Sequence, residues 1–343
     1  MRTLSLLVLS VVLFLPEPVK AQSYSEHVHQ LLNEAEDFLT VNPAHSLKIL
    51  DKLGHIQQPA ETAIKWHLLV MRAALPINQL ERMLSAVEAL FVYQQHPLFI
   101  QNITTISSAT GIWLRRNMYL ADAKISLDCA IKYAKNNKQL LTLQNSMGLL
   151  SRELGDYAGA KSQFERALIL AGDSNNIKVA AMLENNLGLL ALENGQHSLA
   201  AAHMRNALMH YQTISQRSGQ ISSALNLMLV FLLQGDMVQY QRLYAPTTTL
   251  TVNFPNQAKH ALLLWLTSYY EKLTQGEAKA DETALRAAFD NLDSPKLQSI
   301  IQQTIAPALN LKLAIAAVEF KTGFNRPWFD TIKRCDWPQA TTL

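Results

Sequence analysis

Few residues of this sequence have the types and spacing that covalent catalysis or metal binding requires. The chain contains no His-Glu-x-x-His motif, no Gly-x-Ser-x-Gly motif and no glycine-rich phosphate loop, the arrangements that supply metal ligands, a serine nucleophile or donors for a phosphate. Its two cysteines, Cys129 and Cys335, are isolated, so neither belongs to a pair at metal-ligand spacing. We therefore expect no catalytic residues, no metal and no cofactor, in a protein that is not an enzyme.

The histidines do not form a metal-binding pattern either. His27 and His29 are two residues apart, so a helix would point them in different directions. His203 and His210 lie two helical turns apart on one face. We predict that this second pair occupies the surface or a groove and does not bind metal.

The side chains best suited to chemistry are amides and guanidinium groups, and that chemistry is recognition. An asparagine amide both donates and accepts hydrogen bonds, and an arginine pairs with an acidic side chain or a terminal carboxylate. The candidates are Asn145, Asn185, Asn186, Asn226, Arg115 and Arg152. Their role depends on the elements that carry them.

Those elements repeat along the chain with a period of 40 residues. Segments 145–168 and 185–208 share nine identities in 24 aligned positions, against ~1–2 expected by chance from average composition. The phase continues downstream to Gly235 and, with a shift of 37 residues, upstream to Gly111. A fixed period of this length is typical of a solenoid of stacked helical hairpins.

Glycines at two recurring positions indicate how each hairpin folds. Gly148 and Gly188 lie inside helical patterns, where glycine costs ~1 kcal/mol relative to alanine. We therefore expect a neighbouring helix to approach too closely for a side chain. Gly155, Gly195 and Gly235 follow the first helix of each unit, where glycine accepts the left-handed backbone conformation.

These positions resemble the tetratricopeptide repeat (TPR) family, and the spacing resembles its longer, 40-residue repeats. The family pattern has Leu-Gly in the first helix, Gly-x-Tyr at the turn, and Ala, an aromatic residue and Ala-Leu in the second helix. One unit carries it in Met147-Gly148, Gly155-Asp156-Tyr157, Ala160, Phe164 and Ala167-Leu168. The next carries it in Leu187-Gly188, Gly195, Ala200 and Ala207-Leu208. The resemblance implies an all-α solenoid of TPR-like helix-turn-helix repeats with divergent helical flanks.

The resemblance also implies where a partner binds. In that family the first helices of the units line the concave face, and their polar side chains hold an extended or helical peptide by its backbone. The six asparagines and arginines named above are therefore candidate peptide-binding residues. Two alternatives stay open: the asparagines bond a neighbouring helix, and the arginines point into solvent.

The start of the chain predicts export. Residues 1–21 combine Arg2, a short apolar run and a small residue at Ala21, as in a secretory signal peptide. No later segment reaches the ~20 apolar residues that cross a bilayer. Removing 1–21, which carries a net +1, lowers the net charge from +3 to +2, which does not favour a nucleic-acid partner. We expect an exported protein, in the bacterial periplasm, with a protein or peptide partner.

The remaining segments divide the mature chain. We predict divergent helical hairpins over 22–100, a repeat array over 101–245 and a C-terminal helical cap over 256–343. Residues 247–254 are rich in β-branched side chains between two prolines, which favours an irregular linker or a short strand. A helix is expected over 295–321, with a bend at Pro307.

Three functions fit this organisation. The first is a non-catalytic scaffold that binds a peptide or helix in the concave groove. The second is a self-associating structural protein whose groove holds a second copy or its own C-terminal helix. The third is an unrecognised enzymatic role of 256–343. The pairing of Cys129 with Cys335 also stays open, because export permits a disulfide and only the fold brings the two together.

Overall fold

The computed structural model describes residues 19–39, 41–53, 59–315 and 319–338. Within these ranges the regular structure is helical, with no strand. The predicted signal peptide lies mostly outside them and stays a prediction. The chain divides into two compact units, Met1–Asn102 and Ile103–Leu343, and this boundary falls beside the predicted start of the repeat array.

The N-terminal unit is built from packed helices. Helix α1 packs on α2, and α3 packs on α4. Ile49, Leu50, Ile64, Met83 and Leu90 are fully buried between them. The helices are α1 (Val19–Phe38), α2 (Pro43–Asp51), α3 (Ala60–Ala74), α4 (Leu80–Phe91) and α5 (Pro97–Gln101).

The C-terminal unit is a series of helical hairpins, each packed on the next. The first helices of the hairpins are α6, α8, α10, α12 and α14, and the second helices are α7, α9, α11, α13 and α15. Their bounds are α6 (Ile103–Arg116), α7 (Leu120–Lys132), α8 (Asn137–Glu153), α9 (Tyr157–Asp173), α10 (Ile177–Glu193), α11 (His197–Thr213), α12 (Arg217–Gln234), α13 (Met237–Thr251), α14 (Gln257–Gln275) and α15 (Glu282–Asp290).

Left-handed residues separate the helices at regular intervals. Gly155, Gly195 and Gly235 have φ angles of +80°, +69° and +73°, as predicted for the turn inside each hairpin. The turns between hairpins use Asn175 and Ser215, with φ angles of 50° and 53°. These two are also 40 residues apart, so the period sets both kinds of turn.

The glycines inside the first helices are sites of close helix approach, which confirms that prediction. A Cβ atom at Gly148 would lie 2.4 Å from Cε1 of the fully buried Phe164. At Gly188 it would lie 2.7 Å from Cγ of Met204. Since the hairpins then stack in succession, the predicted fold class, an all-α solenoid of helix-turn-helix repeats, is confirmed for the described residues.

The prediction of a linker or strand over 247–254 is wrong for 247–251, because helix α13 continues through Pro246 to Thr251; only residues 252–254 are irregular. A proline removes only one backbone donor. The hydroxyl of Thr249 donates to the Ala245 carbonyl (3.0 Å), and that of Thr251 donates to the Thr247 carbonyl (2.8 Å). Thr247 and Thr251 are buried, so packing overrides the β-preference of these residues.

The predicted helix over 295–321 is also wrong for 309–315 and 319–321, which are not helical; residues 316–318 lie outside the described ranges. Helix α16 (Pro295–Ile300) passes into a π-helical turn, Ile301–Ile305, and ends in the short helix α17 (Ala306–Ala308). Pro307 lacks a backbone donor, and its ring crowds the carbonyl four residues earlier, which accounts for the widened turn. Asn310 then adopts a left-handed conformation, with φ 59°, and the chain leaves the helix.

The last described residues pack along helix α7. We call residues 309–315 and 319–338 the C-terminal strap; it includes helix α18 (Phe329–Arg334). The Lys321 amide donates to the Met118 carbonyl (2.9 Å), and the Phe324 amide donates to Oδ2 of Asp122 (2.8 Å). Farther along, the Tyr133 hydroxyl donates to the Trp337 carbonyl (2.6 Å). Residues 321–337 of the strap therefore run parallel to α7, whereas 309–315 bond Arg286 of α15 and Gln302 of the π-helical turn.

A disulfide joins the strap to this helix. Cys129 of α7 is bonded to Cys335 of the strap, across a sequence separation of 206 residues. Phe324 is buried among aromatic rings, with its centroid 5.4 Å from that of Trp113 and 5.3 Å from that of Phe329. The structure thus decides the cysteine pairing that the sequence left open.

Candidate binding cavity

Two adjoining cavities lie between the first helices of the hairpins and helix α16. Their volumes are about 470 and 210 Å³. Helices α8, α10, α12 and α14 contribute to one wall, and residues around the start of α16 contribute to the other. The residues shared by both cavities are Arg152, Asp293, Ser294 and Lys296. We refer to the two as the larger and the smaller cavity.

The predicted asparagines form pairs between consecutive first helices. The Asn186 amide donates to Oδ1 of Asn145 (2.9 Å). The Asn226 amide donates to Oδ1 of Asn185 (3.1 Å), which also accepts from the Ser223 hydroxyl (3.3 Å). Each pair therefore joins one repeat to the next, as the alternative interpretation of these residues held.

The predicted arginines are paired in the same way, so the alternative that they point into solvent is wrong. Arg115 forms an ion pair with Glu153, and Arg152 forms one with Glu193 on the following first helix. Nε of Arg152 lies 3.0 and 3.1 Å from the two carboxylate oxygens of Glu193. Burial raises the pKa of Glu153 above its usual value, although the charge of Arg115 lowers it.

Lys259 on helix α14 is a cation without an acidic partner at contact distance. Its ammonium donates to the Ser218 carbonyl and hydroxyl and to the Ser222 hydroxyl (2.7 Å for the last). Among the described residues no carboxylate comes within 4.0 Å of it. Burial lowers the pKa of Lys259 to about 8, and the charge of Asp293 acts in the opposite direction.

The larger cavity has an apolar wall that the strap helps to form. Met118 and Pro295 contribute from the repeats and from α16, and Ile315 and Phe320 contribute from the strap. The Phe320 side chain is 61% exposed, so a large apolar surface stays accessible. The charged side chains of Arg152, Glu153 and Lys296 also line this cavity.

Three of the six predicted residues line the smaller cavity: Arg152, Asn185 and Asn226. Asn145, Asn186 and Arg115 are not among the residues that line either cavity. Arg115 pairs with Glu153, which lines the larger cavity, whereas Asn145 and Asn186 bond each other. Whether any of the six contacts a peptide stays a prediction.

Sequence reasoning missed Lys259, Asp293 and Lys296. A signal was present, because the 40-residue phase of Gly148 and Gly188 reaches Ser268 after two further periods. Ser268 is buried in helix α14, as a small residue at that position should be. The 40-residue spacing continues beyond the last repeat with matching residues. Following it would have identified α14 as another first helix, and Lys259 as part of its first turn.

The described residues contain no group of three or more side chains able to hold a metal ion. His203 of the predicted surface or groove pair is partly buried, with Nδ1 2.7 Å from Oε2 of Glu184. In the part of the chain that the structure describes, no helix has both the length and the apolar character needed to cross a bilayer.

Comparison with known proteins identifies the fold but no sequence family. No family model and no curated protein sequence matches the chain. A Rap protein solved in complex with competence and sporulation factor matches with a TM-score of 0.58 and 12% identity, over 83% of this chain and 92% of that one. The apo form of RapI matches with a TM-score of 0.54 and 15% identity, over 80% and 89%. This likeness supports the all-α helical-repeat fold.

Proposed function

We propose that this chain is a non-catalytic interaction protein of the TPR type, with 40-residue repeats, exported to the bacterial periplasm. Its repeat array, 101–245, would provide the frame, and 256–343 would close it. The ligand would be a short peptide, or the end of a partner chain, that carries a carboxylate. Binding would be reversible, with no covalent step.

The observation that carries this proposal is the position of Lys259 in the wall of the smaller cavity. A charge withdrawn from water is costly unless an opposite charge compensates it. Lys259 has only uncharged hydrogen-bond partners among the described residues, and these use its three donors. A ligand carboxylate that displaced one serine hydroxyl would therefore replace a neutral acceptor with a charged one and form a charge-assisted bond. The bond from Asn226 to Asn185 uses one N–H of Asn226, so the second N–H and the carbonyl oxygen of Asn226 stay available for a peptide backbone.

The size of the cavities fits a short peptide segment. The cavities hold about 470 and 210 Å³. A volume of 300–1,000 Å³ is usual for pockets that enclose small ligands, so the larger cavity suits an apolar side chain and its neighbours.

The fold is compatible with such a role. A Rap protein of similar architecture was solved with competence and sporulation factor bound. We propose by analogy that this chain also binds a ligand, and that the cavities on its first helices hold it. The analogy concerns the fold, and the chemistry of the ligand rests on Lys259.

The test is binding of a short-peptide library in which each peptide has either a free or an amidated C-terminus. We expect the intact chain to select free carboxylates, and Lys259→Gln to weaken binding about tenfold or more, because a hydrogen bond to a charged group contributes ~1.5–3 kcal/mol. Lys161→Gln is the matched control, since Lys161 is exposed on α9 and pairs with Glu165. Equal binding of both termini, or equal losses in both variants, would contradict the proposal.

Self-association is a second candidate, favoured by one observation. Helix α16 and the strap already cover the first helices of the hairpins, which fits a groove occupied by the chain's own C-terminal region. This candidate predicts that no short peptide competes for the cavity. Light scattering at several protein concentrations distinguishes a dimer from a self-occupied monomer.

A further inference from the structure

The disulfide between Cys129 and Cys335 is unequally accessible from its two sides. Cys129 is 3% exposed within α7, whereas Cys335 is partly exposed at the end of α18. Cys335 also has a left-handed backbone, with φ 48°, a conformation that few residues other than glycine adopt. An external thiol would therefore reach the sulfur of Cys335 first.

The strap that this disulfide holds forms part of the cavity wall. Ile315 and Phe320 line the larger cavity, immediately before the Lys321 and Phe324 amides that bond α7. Strap movement would therefore open the cavity on that side. The hairpins would keep their shape, because each packs on its sequence neighbours.

We infer that Cys129–Cys335 is a site of thiol–disulfide exchange with dithiol reductants, and that its reduction releases the strap from the larger cavity. A thiolate of the dithiol attacks Sγ of Cys335, and Sγ of Cys129 leaves. The second thiol of the reductant then displaces Cys335 from the mixed disulfide. Two electrons pass to the protein, the dithiol becomes a disulfide, and Cys129 and Cys335 each gain a proton.

The consequence for binding rests on the proposed function, but the release of the strap does not. In the oxidised chain the strap closes one side of the larger cavity, which then has room only for the end of a peptide. With the strap released, the same wall would accept a longer segment. The state of the disulfide would thus determine how long a peptide the cavity can bind.

Hydrogen exchange followed by mass spectrometry tests the release without any ligand. The full chain is compared before and after treatment with dithiothreitol, with thiols counted by alkylation. We expect the amides of 319–338 to exchange about tenfold faster or more after reduction, as in local opening, while those of α10 are unchanged. The Cys129→Ser/Cys335→Ser double variant is the control, since it should exchange like the reduced chain and show no response to the dithiol.

Three results would overturn the inference. They are a disulfide that dithiothreitol does not reduce under native conditions, strap amides that stay protected after full reduction, and α10 amides that accelerate as much as the strap. If the double variant does not fold, reduction and reoxidation of the wild-type chain still separate these outcomes. Failure of the peptide library leaves the exchange result unaffected, so the two proposals fail independently.

Discussion

The repeat hairpins and the C-terminal strap are held by different kinds of contact. Phe164 packs against Gly148 within one hairpin, and Asn186 bonds Asn145 of the adjacent repeat. The strap reaches α7 across about 200 residues, through a disulfide and backbone bonds to Asp122 and Met118. The hairpins thus form a nearest-neighbour array, whereas the strap is an added element that we expect to open by itself.

Replacing one buried phenylalanine in each region tests this difference most strongly. Phe164→Ala should lower the free energy of unfolding of the C-terminal unit by ~3–5 kcal/mol, because Phe164 is fully buried in the array. Phe324→Ala removes a side chain of the same size, but its cost is limited to what the docked strap contributes, no more than about 2 kcal/mol. Urea denaturation measures both. Equal losses would mean that strap and hairpins unfold as one cooperative body.

Glycine substitutions sharpen the comparison within the hairpins. Gly148→Ala places a Cβ atom 2.4 Å from the Phe164 ring, so we expect a loss of ~1–3 kcal/mol from overpacking. Gly172→Ala in α9 has no neighbouring atom within 4 Å and should gain up to ~1 kcal/mol from helix propensity. Thermal melts of the two variants should therefore shift in opposite directions. A neutral Gly148→Ala would show that the ring can move aside.

The same difference explains what the sequence could predict. The hairpins depend on small residues and turns that recur every 40 residues. The spacing of Gly148, Gly188 and Gly235 therefore predicts where each one lies in its hairpin. The strap has no period, and no local pattern relates Phe324 to Asp122. Its partners are set by the path of the whole unit, which also determines whether Cys335 meets Cys129.

The residues of the candidate site also differ in whether the repeat predicts them. Asn185, Asn226 and Arg152 lie in matching repeats and were predicted from their positions there. Lys259 and Asp293 lie where the repeat pattern has faded, and both line the smaller cavity only because α14 and the chain before α16 converge. Periodicity therefore predicts the framework of the cavity but not the Lys259 charge on which the proposed selectivity rests.

The asparagine pairs give a smaller effect within the array. Asn186→Ala leaves Oδ1 of the buried Asn145 without its donor, and we expect a loss of ~1 kcal/mol. A double-mutant cycle with Asn145→Ala, measured by urea denaturation, should give a coupling of ~0.5–1 kcal/mol. Coupling near zero would indicate that the two amides serve separate roles, and would favour a direct role of Asn186 with a ligand.

The smallest expected effect concerns Lys259, which lies where the array meets the elements that cover it. Its pKa is lowered to about 8 in the folded chain, from an ordinary value of 10.5. Between these two values the unfolded chain binds more protons, so stability should rise as pH increases from about 8. Partial exposure to water limits the gain to under about 1 kcal/mol. Urea midpoints at pH 7.5 and 9.5 should therefore diverge between the wild type and Lys259→Gln, in favour of the wild type at the higher pH. A constant difference would mean that the ammonium is as well solvated when folded as when unfolded, and an uncompensated charge would no longer explain selection of a carboxylate.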